Sequence, residues 1–278
     1  MKIALCNEVL REMEFAAQCD YAAALGYDGL EVAPFTLSDE PHLLTANARA
    51  SIRRAAADAG IVVTGLHWLL VAPKGLSLNG PDATLRQRTL DVMLRLVGLC
   101  AELGGSVLVH GSPAQRSVGA GDDKKAAWQR AQESFVKVGE AAAKAGVTYC
   151  IEPLAQRETN FINTVDEAVQ MVRAVDRPAF RTMVDTSAAG ATENGTVEAL
   201  LDRWLPKGQI AHVQVNDRNR RGPGEGSDRF GPIFAALQRH NYSRVVAIEP
   251  FVYEPDGAAC AARAIGYVRG VLDGLGAP

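Results

Sequence analysis

Two glutamates, Glu152 and Glu249, stand in the same short sequence context, Ile-Glu-Pro, and each follows an apolar run typical of a buried strand. Asp185 ends a third such run, and Gln214 ends a fourth. The carboxyl ends of parallel strands meet at one edge of a sheet, which is where parallel-sheet enzymes keep their active sites. We therefore expect these four oxygen-bearing side chains to share one site.

The residue types of this set indicate a metal site. Carboxylates gathered in a low-dielectric cavity repel one another unless a cation compensates them. Hard oxygen ligands with an amide favour an octahedral divalent ion such as Mg²⁺ or Mn²⁺ over a tetrahedral sulfur site. For each carboxylate taken singly, an ion pair at the rim of the sheet is the alternative. Four further polar residues are predicted at strand ends: Glu31, His67, His110 and His212.

A repeating unit along the chain supplies the elements that must position these residues. An Ala/Leu/Arg-rich amphipathic stretch is followed by a glycine, a run of Val, Ile, Leu or Tyr, and a polar residue. Strands that are apolar throughout are those buried on both faces of a parallel sheet. The predicted strands lie in eight segments: 3–6, 29–32, 61–67, 106–110, 147–151, 180–184, 210–214 and 245–249.

Helical patterns lie between these strands, with apolar positions three and four residues apart. The clearest are 85–103, 126–145 and 165–175. Eight strand-helix units predict an α/β fold, a single (β/α)8 TIM barrel with residues 1–278 as one domain. A doubly wound sheet would need fewer strands or a dinucleotide-binding loop that the sequence lacks. The longest connections follow strands three, four and seven on the catalytic face: 68–83, 111–123 and 216–228.

The composition is that of an ordinary globular protein. The chain has 278 residues, 47% of them hydrophobic, and a net charge of −3. This charge gives no reason to expect a nucleic-acid or membrane partner. The first residues do not resemble a signal peptide, which predicts a cytoplasmic protein. The five cysteines are scattered without zinc-ligand spacing, which favours reduced thiols in the core.

These motifs resemble the xylose-isomerase-like family of sugar isomerase and epimerase barrels, which includes D-tagatose 3-epimerase, hydroxypyruvate isomerase and endonuclease IV. The resemblance covers essentially the whole chain. In the ketose epimerases of this family, two Glu, one Asp and one His hold one divalent cation. The resemblance implies that Glu152, Asp185 and Glu249 are metal ligands, with Mn²⁺ or Mg²⁺ as the ion and Co²⁺ or Zn²⁺ as alternatives. The most specific segments are 151–154, 184–186, 212–217, 220–226 and 248–250.

The chain departs from the epimerase pattern at two positions. Ketose epimerases carry His-x-His on strand seven, whereas this chain has His212-Val213-Gln214. The hydroxypyruvate isomerase branch has His-x-Gln, which makes Gln214 the implied fourth ligand. His212 shares its strand face at another depth, as a packed or hydrogen-bonding residue near the substrate. Ala188 replaces a substrate-binding His of the ketose epimerases, so contacts to the sugar must differ.

Further substrate contacts are implied by the same resemblance. Glu158 resembles the Glu that contacts substrate after strand five, and Arg220 resembles the Arg that binds substrate oxygens. A solvated loop charge is the alternative for both. We expect His67 and His110 to hydrogen-bond substrate oxygens, with support of a loop as the alternative, and Trp68 to exclude water.

The implied reaction is isomerisation or epimerisation of a small ketose or sugar acid through a metal-stabilised enediolate. Glu152 and Glu249 come from different strands, so one removes the α-proton and the other returns it from the opposite face. Return to the same carbon inverts it, and return to the neighbouring carbon interconverts aldose and ketose. The resemblance also implies a homodimer or homotetramer.

Three other functions stay open on this scaffold. A metal-dependent lyase, either a dehydratase or a decarboxylase of an oxo-acid, begins with the same enolate chemistry, and the absence of the epimerase-type His at Ala188 leaves room for it. An endonuclease IV-like nuclease is less favoured, because Ala188 also stands where one of its metal-binding His is required. A noncatalytic sugar-binding barrel would not need two opposed glutamates.

Overall fold

Eight parallel strands close into a barrel in sequence order. The computed structural model describes residues 1–276, and residues 277 and 278 lie outside the described residues. Each strand pairs with the next, and the first pairs with the last. The predicted single (β/α)8 TIM barrel is confirmed, and each predicted strand segment matches an observed strand to within one residue at each end. The strands are β1 (Lys2–Cys6), β2 (Gly29–Val32), β3 (Val62–Leu66), β4 (Val107–His110), β5 (Thr148–Ile151), β6 (Phe180–Asp185), β7 (Ile210–Val215) and β8 (Val245–Ile248).

Helices connect the strands, and the long ones pack outside the barrel. Short 3-10 helices follow β1 (Asn7–Leu10) and β2 (Pro34–Thr36, Pro41–Leu43) and precede β7 (Leu205–Lys207). The described α-helices are α1 (Phe15–Ala24), α2 (Ala46–Asp58), α3 (Ala83–Leu103), α4 (Pro113–Arg116), α5 (Lys124–Ala145), α6 (Val165–Val175), α7 (Thr186–Thr192), α8 (Val197–Trp204), α9 (Phe230–Arg239) and α10 (Gly257–Gly274).

Capping side chains set the ends of the long helices. Asp82 accepts hydrogen bonds from two backbone N–H groups and begins α3 two residues before the predicted segment. Asp123 accepts from one backbone N–H, that of Lys125, and begins α5, again two residues early. Both helices end at a glycine in the left-handed region, Gly104 with φ 88° and Gly146 with φ 71°. These glycines return the chain to the barrel because they accept that conformation without a Cβ clash.

A bulge in β7 decides which of its side chains face the barrel interior. Thr182 of β6 pairs with Ile210, but the next residue, Met183, pairs with His212, so β7 carries one extra residue. A one-residue shift exchanges the two faces of a strand. Beyond the bulge, Gln214 pairs with Asp185 and shares its inward face. The bulge thus brings an amide of β7 to the level of a carboxylate of β6.

The five cysteines are all buried and free, as the sequence predicted. Within residues 1–276, no helix has both the length and the apolar character needed to cross a membrane.

A candidate metal centre and active site at the barrel mouth

Three carboxylates meet at the carboxyl end of the barrel, and we call Glu152, Asp185 and Glu249 the acidic cluster. Glu152 directly follows β5, Asp185 ends β6, and Glu249 directly follows β8. One oxygen from each carboxylate lies within 4.8 Å of those of the other two. Exposure is only 2% for Glu152, 3% for Asp185 and 1% for Glu249. The structure therefore joins the three carboxylates that the strand-end pattern singled out.

The electrostatics of the acidic cluster call for a cation. Burial, followed by the charges of Glu249 and Asp185, raises the pKa of Glu152 well above its ordinary value. Burial also raises the pKa of Asp185 to about 6 and that of Glu249 to about 8. A divalent ion would offset both the cost of burying these charges and their mutual repulsion. The donor set is all oxygen and buried, so the residues fit a hard divalent metal.

Asp185 is held rigidly by hydrogen bonds to both of its carboxylate oxygens. Oδ1 accepts from the backbone N–H of Ala188 at 2.7 Å, as the N-cap of α7, and from the Ser187 hydroxyl at 3.1 Å. Oδ2 accepts from the Asn216 amide at 2.8 Å. Such donors favour the charged carboxylate and fix its direction.

Asn216 is a site residue that the sequence reasoning passed over. Its Nδ2 donates to Asp185 and also to the backbone carbonyl of Glu249, at 2.9 Å. It is fully buried and so joins the ends of β6 and β8. Its position two residues after Gln214, hence on the same strand face, was the available signal.

Glu249 is held through one oxygen only. Oε1 lies 2.9 Å from Nδ1 of His67, whereas Oε2 has no hydrogen-bond partner among the described residues. The other ring nitrogen of His67, Nε2, lies 2.9 Å from Oε2 of Glu8. His67 was predicted to bind substrate, but the structure occupies both of its ring nitrogens with glutamates. Glu8 was not predicted as a site residue. It lies two residues after Cys6, the last residue of β1, and this spacing was the available signal.

Gln214 and His212 meet Glu31 below the acidic cluster. Gln214 Nε2 donates to Oε1 of Glu31 at 2.7 Å, and His212 Nε2 lies 2.7 Å from Oε2 of Glu31. Gln214 Oε1, the oxygen that would bind a metal, has no hydrogen-bond partner within residues 1–276. Its assignment as the fourth ligand stays a prediction. His212 is buried, and its contact with Glu31 is at a charge-pair distance; its predicted role near the substrate stays a prediction.

His110 lies on the other face of its strand. It pairs in register with Ile151, while Glu152 belongs to the opposite face. Its Nδ1 lies 2.7 Å from the Tyr149 hydroxyl, and its ring packs edge-on against Phe135 of α5 with centroids 5.5 Å apart. The structure does not bring His110 to the acidic cluster with Glu152. This packing favours a structural role over the predicted contact with substrate.

Aromatic side chains wall one side of the site. Trp68 lies between Phe35 and Phe251, with ring centroids 5.8 Å and 5.9 Å away. The backbone of Trp68 has φ 50°, a left-handed conformation that is uncommon for a bulky residue and that clusters at active sites. A Cβ built on Gly111 would contact both Glu152 Oε2 and Trp68 Cδ1, which places the indole beside the carboxylate.

Arg220 reaches the same aromatic wall from the connection after β7. Its guanidinium carbon lies 4.8 Å from the centre of the Phe251 ring. Its backbone carbonyl accepts from the N–H groups of Phe251 and Val252, at 2.8 and 3.0 Å, and its φ is 69°. The buried Asp217 organises this turn by accepting from the backbone N–H of Asp228 at 3.0 Å. The connection is therefore locked to the end of β8.

Glu158 lies in the connection after β5 and is partly exposed. Its carboxylate accepts from the backbone N–H of Ala155 at 3.1 Å. It also contributes to the raised pKa of Glu152, after burial and the two carboxylates of the acidic cluster, so it lies near the site.

A buried acidic cluster at the mouth of a closed (β/α)8 barrel, below an aromatic wall, defines a barrel with a candidate metal-dependent active site. The chain belongs to the xylose isomerase-like TIM barrel family, whose model matches residues 19–269. The resemblance recognised from the sequence motifs is thereby confirmed.

Individual relatives in this family are sugar epimerases. The chain is 29% identical over 249 residues to the D-psicose 3-epimerase of Ruminiclostridium cellulolyticum, which covers 87% of this chain and 80% of that one. It is 23% identical over 283 residues to the 3-dehydro-D-guloside 4-epimerase of Escherichia coli, which covers 97% of this chain and 99% of that one. Among solved structures, the 3-keto-D-glucoside 4-epimerase from E. coli matches with a TM-score of 0.84 and 20% identity, covering 97% of this chain and 99% of that one. This structural likeness supports the fold.

Proposed function

We propose that this protein is a divalent-metal-dependent isomerase or epimerase of a small ketose or sugar acid. The observation that carries the proposal is the acidic cluster, in which two glutamates after β5 and β8 lie beside an aspartate that ends β6. The relatives named D-psicose 3-epimerase and 3-dehydro-D-guloside 4-epimerase support a sugar epimerase.

These two activities share one chemical requirement. A 3-epimerase of a 2-ketose inverts the carbon beside its carbonyl, and a 4-epimerase of a 3-dehydro sugar does the same one carbon further along. A hydrogen on such a carbon is acidic because the carbonyl oxygen takes up the negative charge as the proton leaves. The proposed substrate class is therefore a polyhydroxy compound with a carbonyl next to the carbon that changes.

Glu152 and Glu249 are the proposed acid-base pair. They follow β5 and β8, which are not neighbours in the barrel, so the two carboxylates approach the site from different sides. Glu249 Oε2 is free of hydrogen bonds within the described chain and can accept a proton. One glutamate removes the proton from the carbon beside the carbonyl, and the other, in its protonated form, returns a proton to the opposite face. The carbon is inverted as a result.

Glu152, Asp185, Glu249 and Gln214 are the residues proposed to hold one Mn²⁺ or Mg²⁺. The bound ion would supply positive charge where the substrate oxygens become negative. Asp185 is suited to a purely binding role, because its hydrogen bonds to Ala188, Ser187 and Asn216 favour its charged form and fix its direction. Gln214 offers an oxygen that is buried and unbonded within residues 1–276.

Trp68, Arg220 and Glu158 are the proposed substrate contacts. Trp68 and Phe251 present apolar faces that sugar C–H groups pack against and that exclude water. Arg220 stacks on Phe251, and its guanidinium N–H groups are suited to donate to substrate hydroxyl or carboxylate oxygens. Glu158, which is partly exposed, is the proposed acceptor for sugar hydroxyl groups.

Hydrogen exchange in D₂O tests the proposal directly. The Mn²⁺-loaded protein is incubated with D-psicose, D-fructose, D-tagatose, L-ribulose and 3-dehydro-D-guloside, and each mixture is followed by NMR. We expect deuterium at the carbon beside the carbonyl in at least one compound, together with its epimer or isomer. A control without metal should show neither. Elimination of water or loss of CO₂ from an added 3-oxo acid, without exchange in any sugar, would instead establish the lyase alternative.

A further inference from the structure

His67 is bridged at both ring nitrogens by glutamates from distant parts of the chain. Nδ1 lies 2.9 Å from Glu249 Oε1, and Nε2 lies 2.9 Å from Glu8 Oε2. All three residues are buried. We call Glu8, His67 and Glu249 the glutamate-histidine bridge. It leads from one member of the acidic cluster to a residue that is not part of that cluster.

The segment that carries Glu8 is itself fixed in place. Asn7 donates from Nδ2 to Gln18 Oε1 at 2.9 Å and to Thr36 Oγ1 at 2.8 Å, and its Oδ1 accepts from the backbone N–H of Ala33 at 2.8 Å. A Cβ at Gly257, at the start of α10, would lie 1.8 Å from the Val9 carbonyl, so the helix packs tightly on this segment. Glu8 is therefore a rigid anchor for the imidazole of His67.

The bridge has a geometric consequence for Glu249. A carboxylate on a long side chain can rotate, and either oxygen could then face the site. The contact with His67 occupies Oε1 and leaves Oε2 as the oxygen without a partner in the described chain. A base works efficiently only when its reactive atom is held close to the proton that it removes.

We propose that Glu8 and His67 are positioning residues for Glu249. Glu8 fixes the ring of His67, and His67 fixes the Glu249 carboxylate so that Oε2 faces the acidic cluster. This inference rests on the proposed function of Glu249 as an acid-base group and metal ligand. Neither Glu8 nor His67 needs to touch the substrate, which differs from the role predicted for His67 from its position after β3.

The same residues could be read as a second metal site. Cys6, Glu8, His67 and Glu249 each offer a ligand atom within 4.8 Å of the others. Both ring nitrogens of His67 are already engaged at hydrogen-bond distance, however, so the ring has no free lone pair to offer. The bridge geometry therefore favours positioning, and metal stoichiometry separates the two roles.

A pair of substitutions at Glu8 tests the inference. Glu8→Gln keeps an acceptor oxygen for His67, whereas Glu8→Met removes it at similar size, and both remove the charge. Titration calorimetry with Mn²⁺ measures the affinity of each variant without any substrate. We expect Glu8→Met to bind Mn²⁺ about 10- to 100-fold more weakly than Glu8→Gln, as is typical when a residue that orients a metal ligand is lost. Glu8→Ala repeats the loss of the acceptor without added bulk.

The balance between exchange without inversion and exchange with inversion provides a second measurement. With a ketose that the wild-type protein epimerises, Glu152 in Glu8→Met still removes and returns a proton, while delivery by Glu249 is slowed. We therefore compare the rate of deuterium incorporation into the recovered starting sugar with the rate of inversion. For one of the two epimers, this ratio should be higher in Glu8→Met than in the wild-type protein. A purely structural defect would lower both rates by the same factor.

Glu12→Ala is the matched control, since that glutamate lies four residues away and its side chain is 92% exposed. It should leave both readouts unchanged. Equal Mn²⁺ affinities for Glu8→Gln and Glu8→Met would overturn the inference. A wild-type chain that binds two Mn²⁺ ions, one of which is lost in both variants, would also overturn it, because Glu8 would then be a metal ligand. A wild-type protein that binds Mn²⁺ but exchanges none of the sugars would instead count against the proposed function, and the affinity comparison would still decide the role of Glu8.

Discussion

The Gly111 backbone lies directly against the carboxylate of Glu152. A Cβ added at position 111 would come within 2.2 Å of Glu152 Oε2 and 3.6 Å of Trp68 Cδ1. Real Cβ atoms do not approach an oxygen this closely. The absence of a side chain at Gly111 is therefore what allows Glu152 to occupy its place between the strand ends and the indole.

Gly111→Ala should impair catalysis far more than folding. The added methyl group must displace the Glu152 carboxylate by about 1 Å, and such a misplacement of a reacting group costs about 100-fold in rate. We expect kcat for epimerisation to fall by about that factor while the melting temperature changes little. Gly119→Ala is the control, because a Cβ there meets nothing within 4 Å. Full activity in Gly111→Ala would show that Glu152 does not act from this position.

Glu152→Gln and Glu249→Gln should each abolish epimerisation. Each should also abolish exchange with D₂O in the epimer whose α-hydrogen faces the substituted residue, while the remaining glutamate still exchanges the other epimer. The amide keeps an oxygen ligand but cannot act as a base, and a general base contributes about 100- to 10,000-fold. Elemental analysis should find the metal still bound in both variants. Epimerisation at the wild-type rate in either variant would contradict the two-base scheme.

The acidic cluster was predictable from sequence for a simple topological reason. In a parallel barrel every strand ends at the same rim, so Glu152, Asp185 and Glu249 converge once each is recognised as ending an apolar run. Helix ends were nearly as predictable from the sequence. The predicted starts of α3 and α5 are two residues late, because Asp82 and Asp123 cap these helices before the apolar pattern begins.

The orientation of side chains within the short strands was not predictable in the same way. Val107–His110 is apolar up to its last residue and buried on both faces, so no alternation reveals which face His110 occupies. The bulge at Ala211, which turns Gln214 inward, likewise has no signal in the apolar run. The contact between Glu8 and His67 joins residues 59 positions apart, and no local pattern encodes it.

Arg220→Ala should weaken substrate binding with little effect on stability. The guanidinium stacks on Phe251, and a charge-assisted hydrogen bond to a substrate oxygen contributes about 1.5–3 kcal/mol. We expect KM to rise about 10-fold or more, with a smaller change in kcat, in steady-state assays of the preferred ketose. Arg229→Ala, an exposed arginine just beyond the same connection, is the control. An unchanged KM in Arg220→Ala would assign Arg220 to loop structure alone.

Removal of the metal should destabilise the protein increasingly as pH rises. Burial raises the pKa of Asp185 to about 6 and that of Glu249 to about 8, and the pKa of Glu152 lies well above its ordinary value. An acid whose pKa is raised on folding holds its proton more tightly in the folded state. Stability of the metal-free protein is therefore greatest below the ordinary pKa values, 3.8 for Asp and 4.5 for Glu, and falls as pH rises through the raised ones.

Melting temperatures measured with EDTA and with Mn²⁺ between pH 5.5 and 8.5 check this expectation. The difference between the two conditions should widen toward pH 8.5, because bound Mn²⁺ compensates the charges that destabilise the metal-free fold and competes with their protons. Each carboxylate that ionises contributes a slope of up to about 1.4 kcal/mol per pH unit. Asp185→Asn removes one of these groups and should reduce the pH dependence in EDTA. A difference in melting temperature that stays constant across this range would mean that the three carboxylates are not the metal's ligands.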